Sequence, residues 1–196
     1  AYTFFNHLTA SKSVYLSREY EAEVAKKLGI FFRKSASAII PNGVDTEAFS
    51  PAASKNEVPI IGMQARMVEG KDYSTLLHAW AKLKSPKAQL QLAGDGPNRA
   101  ELEKLVDDLQ IRDSVTFLGM LRQQEMIEAM RSWQAFVLST HGENMSRALM
   151  EAQSIGLPII ATDVPGVRTL ITEGENGLLV PKNDSTALAD AMAGVL

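Results

Sequence analysis

From Pro59 onward the chain alternates between short apolar runs and longer segments whose apolar residues recur every three to four positions. The runs at 59–63, 90–93, 115–118, 135–138, 159–161 and 178–180 are almost continuously apolar and read as strands buried on both faces. Between them the pattern predicts helices at 73–84, 98–109, 123–132, 147–155 and 165–171, with a last one from Ser185. Strand–helix alternation of this kind predicts an α/β fold: a Rossmann-like parallel sheet of about six strands with helices on both faces. Right-handed crossovers put every strand-to-helix loop on one edge, and ligands of such sheets bind beyond the strand carboxyl ends. That edge carries the polar segments of this sequence.

Residues 1–52 read differently. Val14 to Ser17 could end a strand, and Arg18 to Leu28 is a helix stopped by Gly29. A further apolar run, Ala38-Ile39-Ile40, leads into Pro41-Asn42-Gly43-Val44-Asp45, a turn signal followed by Phe49-Ser50-Pro51. The expected division is an appendage with a connecting segment at 1–52 and a Rossmann-like unit at 53–196.

The stretch 138–158 organises the rest. An apolar strand runs into a polar turn, then a helix that should start at Ser146, a good N-cap, and end before Gly156. On that helix Ala148, Ala152 and Ile155 share a face, and Glu151 falls inside their stripe. A carboxylate there is costly to bury unless something hydrogen-bonds it. Glu143, just ahead of the helix, is a second acid in the same stretch. The two can grip a polyhydroxyl ligand, or they can be a solvated turn residue and a helix residue reaching for water.

This stretch resembles the signature of retaining GT-B glycosyltransferases: Glu, seven residues, Glu, then Ala-x-x-x-Gly-x-Pro, here Glu143, Glu151, Ala152, Gly156 and Pro158. The resemblance runs from about Pro41 to the C-terminus. It includes Pro-Asn-Gly-Val-Asp, which resembles the connection between the two domains of those enzymes. The loop 62–72 resembles their Gly-Arg-Leu-x-x-x-Lys segment, with Arg66 and Lys71 in register and Ala65 where Gly is usual. Two cations five positions apart can also converge on a diphosphate on chemical grounds alone, Arg as a fork and Lys as a point charge. Ala93-Gly94-Asp95-Gly96-Pro97 matches the family's Gly-x-Gly-Pro, while Arg99 in the third Gly place argues against a nicotinamide dehydrogenase. Thr162-Asp163-Val164-Pro165-Gly166 matches Thr-Asp-x-x-Gly, with Thr169 where many members carry Glu.

The resemblance implies one half of a GT-B fold, the half that binds a nucleotide-diphosphate sugar. It implies Glu143, Arg66 and Lys71 as catalytic residues, with Arg66 and Lys71 neutralising the donor phosphates and Glu143 approaching the sugar. It implies Glu151 on the ribose hydroxyls and the helix start on the distal phosphate, with Gly142, Asn144, Met145, Ser146 and Arg147 around the donor. The strand end at Leu118, Gly119 and Met120 would read the nucleobase edge through its backbone. A helix N-terminus near Ser146 is an anion site in its own right. His141, judged alone, is a loop histidine.

Composition narrows the alternatives. With 196 residues, 45% hydrophobic and 22% charged, the chain suits a globular domain. A net charge of -3 gives no footprint for nucleic acid or for an anionic membrane. No cysteine is present, so thiolate metal sites and disulfides are excluded, which fits a reducing cytoplasm. No apolar run approaches the ~20 residues of a membrane helix. Neither a metal nor another cofactor is expected. The chain opens abruptly and stops inside a helix-like run, so it reads as a piece of a longer protein, inactive alone. The missing part would bind the acceptor, a glycan or lipid-linked glycan, and would carry any membrane contact. Two rivals stay open: another enzyme on the same fold, such as a nucleotide-sugar epimerase or phosphorylase, and a non-catalytic nucleotide-binding domain.

Overall fold

The computed structural model describes residues 9–51, 58–83 and 87–196. The expected boundary at 52 and 53 and the last position of the helix predicted at 73–84 lie outside the described residues. A six-stranded parallel sheet forms the body, built from β3 (Ile60–Gln64), β4 (Gln89–Ala93), β5 (Val115–Gly119), β6 (Ala135–Leu138), β7 (Ile159–Thr162) and β8 (Leu178–Val180). Their spatial order is β5-β4-β3-β6-β7-β8, every neighbouring pair parallel. The predicted six-stranded α/β fold is therefore the one the chain adopts. All four positions of β6 and of β7 are buried, as a sheet covered on both faces demands.

The helices are α2 (Tyr73–Lys82), α3 (Arg99–Asp108), α4 (Gln123–Ser132), α5 (Arg147–Ile155), α6 (Pro165–Arg168) and α7 (Ser185–Ala193). On one face α2 packs against α3 and α7, and on the other α4 packs against α5. Asp72 caps α2 by accepting from Thr75 N at 3.1 Å, and Asp184 caps α7 through Thr186 N and Ala187 N. Helix α6 is one turn, shorter than the 165–171 expected. Past Arg168 the chain goes on as a turn, with Leu170 N bonded to the Val167 carbonyl, and the Leu170 carbonyl accepts from Gln153 Nε2 at 2.9 Å and Asn176 Nδ2 at 3.0 Å.

Ahead of this body lie β1 (Ser13–Tyr15), α1 (Arg18–Leu28) and β2 (Ser37–Ile39). The two strands pair in parallel as a separate small sheet with its own core of Tyr15, Val24 and Leu28. The segment after β2 is fastened to the main body. Asn42 donates from Nδ2 to the Met145 carbonyl at 3.0 Å. Phe49 is buried in the main core, its carbonyl accepts from Ser154 Oγ at 2.6 Å, and Arg131 donates to the carbonyls of Ala48 and Ser50.

The strand order reverses between β3 and β6. The chain winds outward from β3 through β4 to β5, then returns to lay β6 on the other side of β3. At such a switch point the loops after the two central strands part in opposite directions and leave a crevice. Here those loops carry residues 65–72 and 139–146.

Candidate active site at the switch point

The two loops are held close by their backbones. Asp72 N donates to the Ser139 carbonyl at 3.1 Å, and Ser139 Oγ returns a bond to the Asp72 carbonyl at 2.6 Å. Gly70 accepts from His141 N at 3.1 Å and from Thr140 Oγ1 at 3.0 Å. The loop after β4 is stitched in from the side: Ala65 N donates to the Ala93 carbonyl and Met67 N to the Asp95 carbonyl. That contact explains Gly94-Asp95-Gly96 as loop packing. A Cβ on Gly94 would lie 2.0 Å from the Ala65 carbonyl oxygen, and one on Gly96 2.3 Å from that of Met67. Asp95 serves the same turn, accepting from Gly96 N and pairing with Arg99. Gly166 plays the equivalent part for the loop after β7. Its Cβ would fall 2.0 Å from the Glu143 carbonyl oxygen, so only glycine lets this loop pass beneath Glu143.

Between the loops opens a cleft of about 350 Å³. Arg66 and Lys71 come from the first loop, Glu143, Met145, Ser146 and Arg147 from the second, and Met120 from the end of β5. Helix α5 begins where the sequence placed it. Ser146 is its N-cap, accepting from Leu149 N at 3.3 Å, and Gly156 closes it in the left-handed conformation at φ 81°. The free N–H groups of its first turn thus stand in the cleft wall beside two cations.

The structure pairs two residues that the sequence had assigned to separate tasks. Lys71 Nζ hydrogen-bonds Glu143 Oε1, both side chains largely buried. Burial moves the Lys71 ammonium below its ordinary value. Arg66 makes no ion pair or side-chain hydrogen bond among the described residues and stays exposed at the mouth.

Glu151 sits where its helix stripe put it, 6% exposed, with Ala152 and Ile155 buried beside it and Ala148 half-buried in the cleft wall. Its pKa is raised, chiefly because burial penalises the carboxylate; Arg147 Nη2 at 3.4 Å and the Gln64 amide act the other way. Arg147 is thus the cation of Glu151. Gln64 is a cleft residue that pattern reasoning missed: β3 runs one position further than its apolar stretch, and its last side chain turns into the site. Its Oε1 is buried without a hydrogen-bond partner among the described residues.

The expected residues do not all converge. Leu118 packs half-buried against the core, and only Met120 of the β5 end reaches the cleft. Gly142 and Asn144 face a second cleft of about 550 Å³, shared with His141, Glu143 and Pro165. Its opposite wall is Tyr20 and Glu23 of α1, a helix legible in the sequence without any sign that it faced the site. Glu143, unlike Glu151, borders both clefts. Asp163 is taken up by a two-point pair with Arg168, which holds its carboxyl below the usual range. Among the described residues no three His, Asp or Glu side chains gather as a metal site, and no helix is long and apolar enough to cross a membrane.

The family profile described as "Glycosyl transferases group 1" matches residues 44–196, more than half of the chain. The chain belongs to that family. Among curated relatives, this group 1 domain is 36% identical over 163 residues to an exopolysaccharide phosphotransferase of Streptomyces coelicolor, covering 81% of the chain and 17% of that protein. It is 34% identical over 162 residues to a GDP-mannose-dependent α-mannosyltransferase of Mycobacterium tuberculosis, covering 77% of the chain and 40% of that protein. In structure it matches Anabaena HepE in complex with UDP-glucose, with a TM-score of 0.84 and 21% identity over 96% of the chain and 55% of the other. It also matches a sucrose-phosphate synthase of Thermosynechococcus elongatus, with a TM-score of 0.85 and 26% identity over 98% of the chain and 50% of the other. The fold is that of one half of the GT-B glycosyltransferases. The group 1 chain spans less than half the length of either curated relative.

Proposed function

We propose that this chain is the donor-binding part of a retaining glycosyltransferase, which transfers a sugar from a nucleoside-diphosphate sugar to a glycan or lipid-linked acceptor. The observation that carries the reading is the switch-point cleft, where Arg66, Lys71 and the first turn of α5 face one small volume with Glu143 at its end. The diphosphate lies against Arg66, the α5 N-terminus and Lys71. Negative charge growing on the departing nucleotide is met there by groups already in place, an electrostatic term that needs no metal. Glu151 takes the ribose hydroxyls, with Gln64 and Arg147 holding its carboxylate. Glu143 faces the transferred sugar from between the two clefts. Residues 1–52 form the connection and the edge of the acceptor-binding part, and the full-length enzyme works in the cytoplasm, touching a membrane only through that part.

Calorimetric titration of the chain with UDP, GDP, UDP-glucose and GDP-mannose tests this directly. One nucleoside diphosphate and its sugar conjugate should bind, the matching nucleoside alone should bind far more weakly, and no sugar should be transferred by the 196 residues alone. If no nucleoside diphosphate in the panel binds, the reading fails.

A further inference from the structure

The contact between Asp72 and His141 is not used by the reading above. Asp72 is the N-cap of α2 and is only 6% exposed. Capping occupies one of its carboxylate oxygens, Oδ1, on Thr75 N. The other, Oδ2, is buried and has no hydrogen-bond partner among the described residues. His141 Nδ1 stands 4.0 Å from it. Leaving a buried carboxylate oxygen unpaired is costly, so the pair gains by closing. The backbones allow little else to move: Asp72 is bonded at N and O to Ser139, and His141 N is bonded to Gly70. Rotation of the half-exposed imidazole is the remaining freedom, and it is enough to turn 4.0 Å into a hydrogen bond.

A histidine whose Nδ1–H is held by a buried carboxylate is fixed in tautomer, with Nε2 left as an acceptor. His141 lines the second cleft beside Glu143 and Asn144, across from Tyr20. An acceptor nitrogen there meets hydroxyl groups, and that side of Glu143 is where the transferred sugar would sit. We propose that His141, oriented by Asp72, reads a hydroxyl of the donor sugar, so that the chain distinguishes a nucleotide sugar from the bare nucleotide. Asp72 is then a positioning residue, and the inference rests on the donor-binding reading.

The test compares binding of UDP with UDP-glucose, and of GDP with GDP-mannose, for the unaltered chain, His141→Ala and Asp72→Asn. Asparagine caps a helix as well as aspartate does, so Asp72→Asn keeps α2 while presenting an NH2 group to the imidazole. For the unaltered chain, the sugar conjugate of the preferred nucleotide should bind severalfold tighter than the nucleotide. In His141→Ala that ratio should fall severalfold, to near one, a loss of one hydrogen bond, with affinity for the bare nucleotide unchanged within about twofold. Asp72→Asn should lower the same ratio, and nitrogen-15 shifts of the His141 ring should report loss of the Nδ1–H tautomer. Equal losses for nucleotide and conjugate, an unchanged ratio, or no sugar preference in the unaltered chain would each overturn the proposal. Failure of every nucleotide to bind would instead bring down the donor-binding reading, and this inference with it.

Discussion

The two acids that frame α5 respond to substitution in opposite ways. Glu143 is the counter-charge of Lys71, so Glu143→Gln releases a cation toward the phosphates. Nucleoside diphosphate binding should tighten, by a few-fold in calorimetry, while transfer by the full-length enzyme falls. Arg66 has no partner to release among the described residues, and Arg66→Ala should weaken diphosphate binding by roughly 1.5–3 kcal/mol, the scale of a hydrogen bond to a charged group, and leave nucleoside binding unchanged. Glu151 carries a cost in the free protein. Its folded pKa lies above its unfolded one, so the folded state holds the proton longer and stability falls as pH rises from about 4.3 through the folded value. Glu151→Gln should therefore melt higher than the parent at pH 7, and the gain should vanish below about pH 4, where both states of the parent are protonated. The same variant should bind ribonucleotides more weakly and lose preference over 2′,3′-dideoxyribonucleotides. A melting point that does not change with the substitution at either pH would remove the burial argument.

Elements were legible where one physical signal sufficed and illegible where two competed. Ser146 and Gly156 bound α5 because capping is local chemistry, visible in two residues. Helix α6 fell short of its pattern where Leu170 N closes a tighter turn on the Val167 carbonyl, a difference that periodicity does not show. Gln64 was missed for the opposite reason: it ends an apolar run and looks like the start of a loop, while the pairing of β3 with β4 extends through it. The Lys71–Glu143 contact joins residues 72 positions apart, and periodicity says nothing about pairs across a switch point. Gly166 belongs to this scale too. Gly166→Ala should push the Glu143 backbone out of place at a cost of about 1–3 kcal/mol, the usual range for overpacking. Because Glu143 also pairs with Lys71, binding of both the nucleotide sugar and the nucleoside diphosphate should change in this variant. Equal melting temperatures for parent and variant would mean that the loop yields freely.

At the scale of the whole molecule, the connecting segment is fastened along its length: between its two ends Val44 packs against the main core, and Asp45 accepts from Glu47 N, Ala48 N and Phe49 N. Downstream, Phe49 is buried in the main core and Arg131 and Ser154 grip the backbone from Ala48 to Ser50. Upstream, Asn42 holds the Met145 carbonyl, and Ile40 N bonds back to Tyr15 beside the small sheet. At Gly43 a Cβ would meet nothing within 4 Å among the described residues beyond its chain neighbours. The segment thus meets the body at Met145, one residue ahead of the cap that presents the α5 amides, while α1 packs against α6. If the first turn of α5 holds the phosphate as proposed, a shift of the connecting segment would pass through Met145 to that turn, and movement of the segment would be linked to release of the nucleotide.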